Sequence, residues 1–229
     1  MILILNYKTY FKTIDQYLEN INLFKNVWHA INPYFYLKLR ELFPDAKLGL
    51  QNLSFVFDKP LTGEIYPDFE KIEKADFVLL GHSERFKVGE NQNFIIEKIK
   101  TLQDYNFKLV IFFSELNYQP KKYFKEVKQE TEKVFLNYLR AIKEKNKEKI
   151  IFVYEPWWAI STELGQSPSK EFLEEFLLWF KNNWQFLILY GGSFDSELGK
   201  IYKDLPFDGF VIGKASTRPE EIKKILEIY

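Results

Sequence analysis

Apolar residues along this chain gather in short unbroken runs at 2–5, 27–31, 47–50, 76–80, 107–113, 150–154, 186–190 and 207–212. These runs do not alternate with polar residues, as a strand with one wet face would. Each therefore predicts a strand covered on both sides. Between them the spacing changes to that of amphipathic helices. Ile14, Tyr17, Leu18, Ile21 and Phe24 mark one apolar stripe over 13–24. Helical stretches follow at 33–42, at 67–74 and at 91–105, the last capped by Asn91. A lysine- and glutamate-rich region reads as helical from about 120 to 147. Ser167 and Pro168 read as the N-cap and first turn of another helix, and Pro219 opens the last. Strands separated by helices predict parallel crossovers. Eight such units in 229 residues fit one closed (β/α)8 barrel domain, an α/β fold over 1–229, better than an open doubly wound sheet.

Composition narrows the class. The formal net charge is +0, so no general attraction to nucleic acid or to an anionic membrane surface is built in. No apolar run approaches the length of a transmembrane helix, and residues 1–5 are too short for a secretion signal. A soluble, cytoplasmic protein is the expectation. The sequence has no cysteine, which excludes disulfides, thiolate metal sites and a cysteine nucleophile.

In a (β/α)8 barrel, function sits where the strands end, and the distinctive polar residues of this chain stand there. The first run ends at Asn6 and Lys8, the fourth at His82, Ser83 and Glu84, the fifth at Glu115 and the sixth at Glu155. The last two end at Gly191-Gly192-Ser193 and at Gly213. Pro156 stops the strand beside Glu155, and the apolar segment Trp157-Trp158-Ala159-Ile160 follows. A carboxylate before such a segment suggests a base with a water-excluding lid, which raises proton affinity. His82 opens a loop-to-helix turn, where backbone N–H groups disfavour a protonated ring. A neutral imidazole there can donate to a substrate oxygen. Lys8 supplies a fixed cation, and the glycine segments leave N–H groups open to a phosphate. The set suits abstraction of a proton next to a carbonyl, with the enediolate held by imidazole and cation. His29 falls within a strand and reads as core or barrel-wall packing.

The motifs resemble those of the triosephosphate isomerases, in order and along nearly the whole chain. Asn6-Tyr7-Lys8 is similar to the family's first-strand motif. Gln51-Asn52 and Thr62-Gly63-Glu64 resemble its third-strand and dimer-loop motifs. Gly81-His82-Ser83-Glu84-Arg85 and Tyr154-Glu155-Pro156 with Trp158-Ala159-Ile160 are similar to its electrophile, base and lid segments. Tyr190-Gly191-Gly192-Ser193 and the residues from Gly209 to Gly213 are similar to its phosphate segments. The resemblance implies interconversion of dihydroxyacetone phosphate and glyceraldehyde 3-phosphate. It implies Glu155 as base, His82 as electrophile, and Lys8 with Asn6 as oxyanion stabilisers. It implies Ser161, Ser193, Gly213 and Lys214 around the substrate, and Ser83 and Glu84 in support. It implies no metal or organic cofactor, and a homodimer in which the Thr62-Gly63-Glu64 loop reaches the partner's site. The chain departs from the family where Ser161 and Glu163 replace lid glycines, where Lys214 replaces the second glycine after the last strand, and where Phe86 replaces an arginine. Two alternatives remain open at this point. One is a phosphosugar barrel using Lys8 as a Schiff-base amine. The other is a catalytically silent homologue that binds a phosphorylated ligand or a protein partner.

Overall fold

The structure is a computed structural model that describes residues 1–55, 61–69, 71–116, 119–160 and 166–229. The apolar runs become β1 (Ile2–Asn6), β2 (Trp28–Ile31), β3 (Leu48–Leu50), β4 (Phe77–Leu80), β5 (Lys108–Phe113), β6 (Ile150–Tyr154), β7 (Leu187–Tyr190) and β8 (Gly209–Ile212). They pair in sequence order, all parallel, and β8 closes onto β1 to complete a barrel. Around it lie α1 (Ile14–Leu23), α2 (Pro33–Leu42), α3 (Ser83–Lys87), α4 (Gln92–Leu102), α5 (Lys128–Leu139), α6 (Lys170–Asn183), α7 (Ser196–Tyr202) and α8 (Pro219–Ile228).

Two apolar layers explain the unbroken runs. Ile4, Phe77, Leu79, Val110, Phe112, Ile151, Val153, Leu189 and Val211 fill the barrel interior. Their neighbours along each strand pack outward against the helices in a second, larger cluster. Each strand thus has an apolar environment on both faces. The outer layer is rich in rings. Tyr154, for example, stacks on Phe176 of α6 at a centroid distance of 3.9 Å.

The seam between β1 and β8 is tight. Ile2 pairs with Gly209, and a β-carbon at Gly209 would lie 1.8 Å from the Ile2 carbonyl oxygen. Only glycine fits there. His29 is buried in the wall, as the sequence predicts. Its Nε2–H donates to the Phe24 carbonyl at 3.0 Å, so its Nδ1 accepts from the Tyr7 hydroxyl at 2.6 Å. Burial lowers the ring's pKa to about 4 and keeps it neutral.

Three helical expectations change. The 67–74 segment has a 3-10 turn at Ile72–Lys74 in place of a full helix. The 120–147 region is broken into a 3-10 turn at Phe124–Glu126, then α5, then a 3-10 helix at Glu144–Lys149. The helix expected to open at Ser167 is capped by Ser169, whose hydroxyl accepts from Phe172 N–H at 3.2 Å.

Candidate active site

Of the residues read from the strand ends, Asn6, Lys8, His82, Glu155, Gly191, Gly192, Ser193 and Gly213 line one cavity of about 210 Å³, while Ser83, Glu84 and Glu115 are not in its lining. Parallel closure brings these ends to one rim, however far apart they are in sequence.

Glu155 is 1 % exposed. Its Oε2 accepts the Ser83 backbone N–H at 2.9 Å. Its Oε1 has no hydrogen-bond partner among the described residues, although His82 Nε2 lies 3.2 Å away. The distance is short, but the direction is wrong for a hydrogen bond. One lone-pair face of the carboxylate is therefore uncommitted. Burial raises its pKa to about 7, against the opposing pull of Ser83 and Lys8. A carboxylate with that affinity is matched to proton transfer near neutrality.

His82 caps α3, and its Nδ1 accepts the Glu84 backbone N–H at 3.2 Å. A ring nitrogen that accepts from a backbone donor carries no proton, so the proton is on Nε2 and faces the cavity. Burial, with Lys8 and then Lys87, holds the ring well below its ordinary pKa. The imidazole is neutral and presents a donor.

Lys8 is strained. Its φ is 48°, unusual for a side-chain-bearing residue. Two contacts hold this conformation: Lys8 N–H donates to Asn6 Oδ1 at 3.2 Å, and the Lys8 carbonyl accepts from Gln51 Nε2 at 3.1 Å. Gln51 also donates to the Ala30 carbonyl at 3.1 Å, tying β2 to the site. The ammonium group of Lys8 pairs with Glu84 Oε1 at 2.7 Å. Glu84 thus holds the Lys8 ammonium, and the Ser83 N–H holds the Glu155 carboxylate.

Gly191, Gly192, Ser193, Gly213 and Lys214 line the other end of the cavity. Ser193 N–H is bound to the Ala159 carbonyl at 2.8 Å, while its buried hydroxyl has no partner among the described residues. Ser161 and Glu163 lie outside the described residues. Thr62 and Gly63 are exposed. The Glu64 carboxylate accepts from the Ser54 hydroxyl, and Gly63 and Glu64 line a neighbouring chamber of about 470 Å³ that also touches Lys8 and His82.

Sequence reading placed Glu115 at a strand end without giving it a role. It is a fully buried carboxylate that accepts from Trp158 Nε1 at 2.8 Å, Tyr154 OH at 2.9 Å and Ser114 Oγ at 2.9 Å. It anchors the 3-10 turn Trp157–Ala159 to the barrel. Phe86 packs edge-on against Trp157 with centroids 5.0 Å apart. The structural role of Gln51 and the buried ion pair Lys98–Glu90 (2.7 Å) were also missed. Both are specific polar contacts, one between distant segments and one across eight residues, which periodicity does not register. Among the described residues no cluster of three His, Asp or Glu is placed to hold a metal, and no helix is long and apolar enough to cross a membrane.

Comparison with known proteins agrees with this geometry. The family profile described as triosephosphate isomerase matches residues 1–229. A triosephosphate isomerase of Mesomycoplasma hyopneumoniae (strain 232) is 31 % identical over 222 residues, covering 92 % of this chain and 87 % of the relative. One from Buchnera aphidicola subsp. Cinara cedri (strain Cc) is 30 % identical, covering 95 % and 92 %. One from Helicobacter pylori (strain Shi470) is 30 % identical, covering 92 % and 90 %. With a profile match from end to end, and such relatives over most of its length, the chain belongs to the triosephosphate isomerase family.

Proposed function

We propose that this protein interconverts dihydroxyacetone phosphate and D-glyceraldehyde 3-phosphate, as one step of glycolysis and gluconeogenesis. The observation that carries the reading is the buried Glu155. One of its oxygens is fixed by Ser83 and the other is uncommitted, 3.2 Å from a neutral imidazole. Glu155 takes the proton from the carbon next to the substrate carbonyl. The C–H pair becomes the new C=C bond, and the carbonyl π pair moves onto oxygen. His82 Nε2–H and the Lys8 ammonium stabilise that oxygen, with Asn6 beside them. His82 Nε2–H gives its proton to that oxygen and takes the proton of the neighbouring hydroxyl, so the negative charge crosses to the second oxygen. As that oxygen forms the new C=O, the C=C pair takes the proton back from Glu155 at the adjacent carbon, giving the isomer and the starting base and imidazole. The Ser193 hydroxyl, with backbone N–H groups at Gly213 and Lys214, takes the phosphate, together with Ser161 from the lid. The reaction is redox-neutral and needs no cofactor in this scheme.

The same reading makes the protein a single-domain, cytoplasmic homodimer. In it the Thr62-Gly63-Glu64 loop would pack beside the partner's Lys8. The exposure of Thr62 and Gly63, and of Val88 close to Lys8 and His82, supports an interface on this face.

A coupled assay of triose phosphate isomerisation tests the function. Wild type should turn over rapidly, and Glu155→Gln should lose about 10²–10⁴ in rate. Wild type without turnover would overturn the proposal.

A further inference from the structure

The cavity is uneven in charge. Glu155 and His82 stand at the ends of β6 and β4, while cations gather where β1 and β8 meet. Lys8 reaches over Gly213, where a β-carbon would lie 3.3 Å from Lys8 Cε and 3.7 Å from Nζ. Lys214 follows directly, and Arg218 lines the same cavity one turn further on. The 3-10 turn Lys214–Thr217 sets their spacing, through Ser216 N–H to the Gly213 carbonyl (2.9 Å) and Arg218 N–H to the Ala215 carbonyl (3.1 Å).

Both side chains are exposed, and among the described residues neither forms an ion pair or a side-chain hydrogen bond. Lys200 with Glu197 and Lys223 with Glu220 are paired; what distinguishes Lys214 and Arg218 from other unpaired surface cations, such as Lys25 and Lys203, is that they line the cavity. The carboxylates nearby are already engaged. Asp195 accepts from Leu198 N–H at 3.0 Å, capping α7. Glu221 accepts from Ser196 N–H at 2.7 Å, and Arg218 adds only a lesser charge effect on it. The unpartnered hydroxyl of Ser193 lies buried in the same cavity. Two uncommitted cations and an unsatisfied donor thus converge on one end of the site.

We propose that Lys214 and Arg218 are specificity-determining cations, which bind the ligand's phosphate as its dianion through side-chain charge, in addition to the backbone cradle. The inference rests on the reading of the ligand as a phosphate ester. A cradle made only of backbone N–H groups acts at contact and responds weakly to salt. Exposed cations at the mouth act across a Debye length, about 10 Å at 0.1 M salt, and lose their effect as it shrinks. Phosphate capture by this protein should therefore depend on ionic strength, and the two uncommitted cations, Lys214 and Arg218, beside a Lys8 already paired with Glu84, should favour the fully ionised phosphate over monoanions.

The experiment compares wild type, Lys214→Ala, Arg218→Ala and the double variant, with Lys223→Ala on α8 as a charge control outside the cavity. Two quantities are read at pH 8: KM for the triose phosphate, and the affinity for inorganic phosphate by calorimetry. Each single variant should weaken both by roughly 5-fold at low salt and the double variant by roughly 20-fold, with most of the difference gone at 0.5 M salt. The Lys223→Ala control should stay at the wild-type value. Unchanged KM and phosphate affinity in the double variant would overturn the inference and leave the isomerase reading standing. Equal effects from Lys223→Ala would overturn it too, since the effect would then be one of net charge. If wild type fails to isomerise, the proposed function falls, and the calorimetric series still decides whether these two cations bind phosphate.

Discussion

Glu155→Gln should move activity and stability in opposite directions, and the second effect depends on pH in a calculable way. Burial lifts this carboxyl from an ordinary 4.5 to about 7. The unfolded chain releases the proton near the lower value and the folded chain near the higher one. Between the two, the folded state binds more protons, so stability falls as pH rises through the window and levels off above about 7. One pKa unit is worth about 1.4 kcal/mol, so ionised Glu155 costs the fold about 3 kcal/mol at pH 8 and about 1.4 kcal/mol at pH 5.5. The amide carries no charge at either pH and keeps an oxygen for the Ser83 N–H. Its stabilising effect should therefore be about 2 kcal/mol larger at pH 8 than at pH 5.5. Urea unfolding followed by tryptophan fluorescence measures both. Taking the difference between the two pH values removes any fixed offset from the shape of the amide, and the contribution of buried Glu115 cancels between variant and wild type. An equal shift at both pH values, or a larger one at pH 5.5, would refute the claim that a desolvated charge is held at this position. The variant should be nearly inactive and sturdier at once, as expected where a fold gives up stability to keep a base ready.

The same carboxyl should govern the pH–rate profile. kcat/KM should fall about tenfold per unit below pH 7 as Glu155 takes a proton, with no separate histidine step above it, because His82 is neutral throughout. A profile flat from pH 5 to 8 would contradict this. Gln51→Leu removes the donor to the Lys8 and Ala30 carbonyls and frees the φ of 48°. It should lower kcat/KM by about 10-fold along with Tm, since losing one directed polar contact is worth about 1–3 kcal/mol. A lower Tm with unchanged kcat/KM would show that Lys8 does not depend on this clamp. Lys98→Met leaves Glu90 buried beside a lost partner at 2.7 Å, and should cost about 3–5 kcal/mol in urea unfolding. A loss below about 1 kcal/mol would mean that Arg85, 2.8 Å from the same carboxylate, suffices.

Strands were legible because closure gives each of them two apolar neighbours, and a doubly covered strand leaves an unmistakable run. The eight runs match the eight strands to within two residues at either end. Asn6, Lys8, His82 and Glu155 could be placed together for a related reason: in a parallel barrel, residues that end strands must share a rim. The 120–147 segment was misread because its composition suits a helix, while the backbone answers to one ring. Phe124 is buried and packs edge-on against Phe172 and Phe176, which turns the chain before α5 begins. Ser167 and Ser169 offer the same cap chemistry. Ser169 caps because its oxygen reaches the N–H three residues on, while the carbonyl of Pro168 takes the Tyr202 hydroxyl. The polar supports of the site, Gln51 under Lys8 and Glu115 under Trp158, were hidden for a different cause. Each joins segments far apart in sequence through two or three hydrogen bonds, and such isolated contacts leave no pattern in a sequence.

The β1–β8 seam bears on how the protein comes into being. On a ribosome, β1 emerges early, yet its second neighbour is synthesised roughly two hundred residues later. At about 5–20 residues per second, β1 waits on the order of 10–40 seconds with one edge unpaired. Lys8 extends from that strand and Lys214 from the end of β8, so no nascent chain short of β8 can carry both cations. A chain stalled before Gly209 would present two open edges, those of β1 and β7, which are templates for pairing with other chains. Turnover by this protein therefore reports completed synthesis as well as correct chemistry, and the last strand to arrive both seals the barrel and brings Lys214 to the cavity mouth.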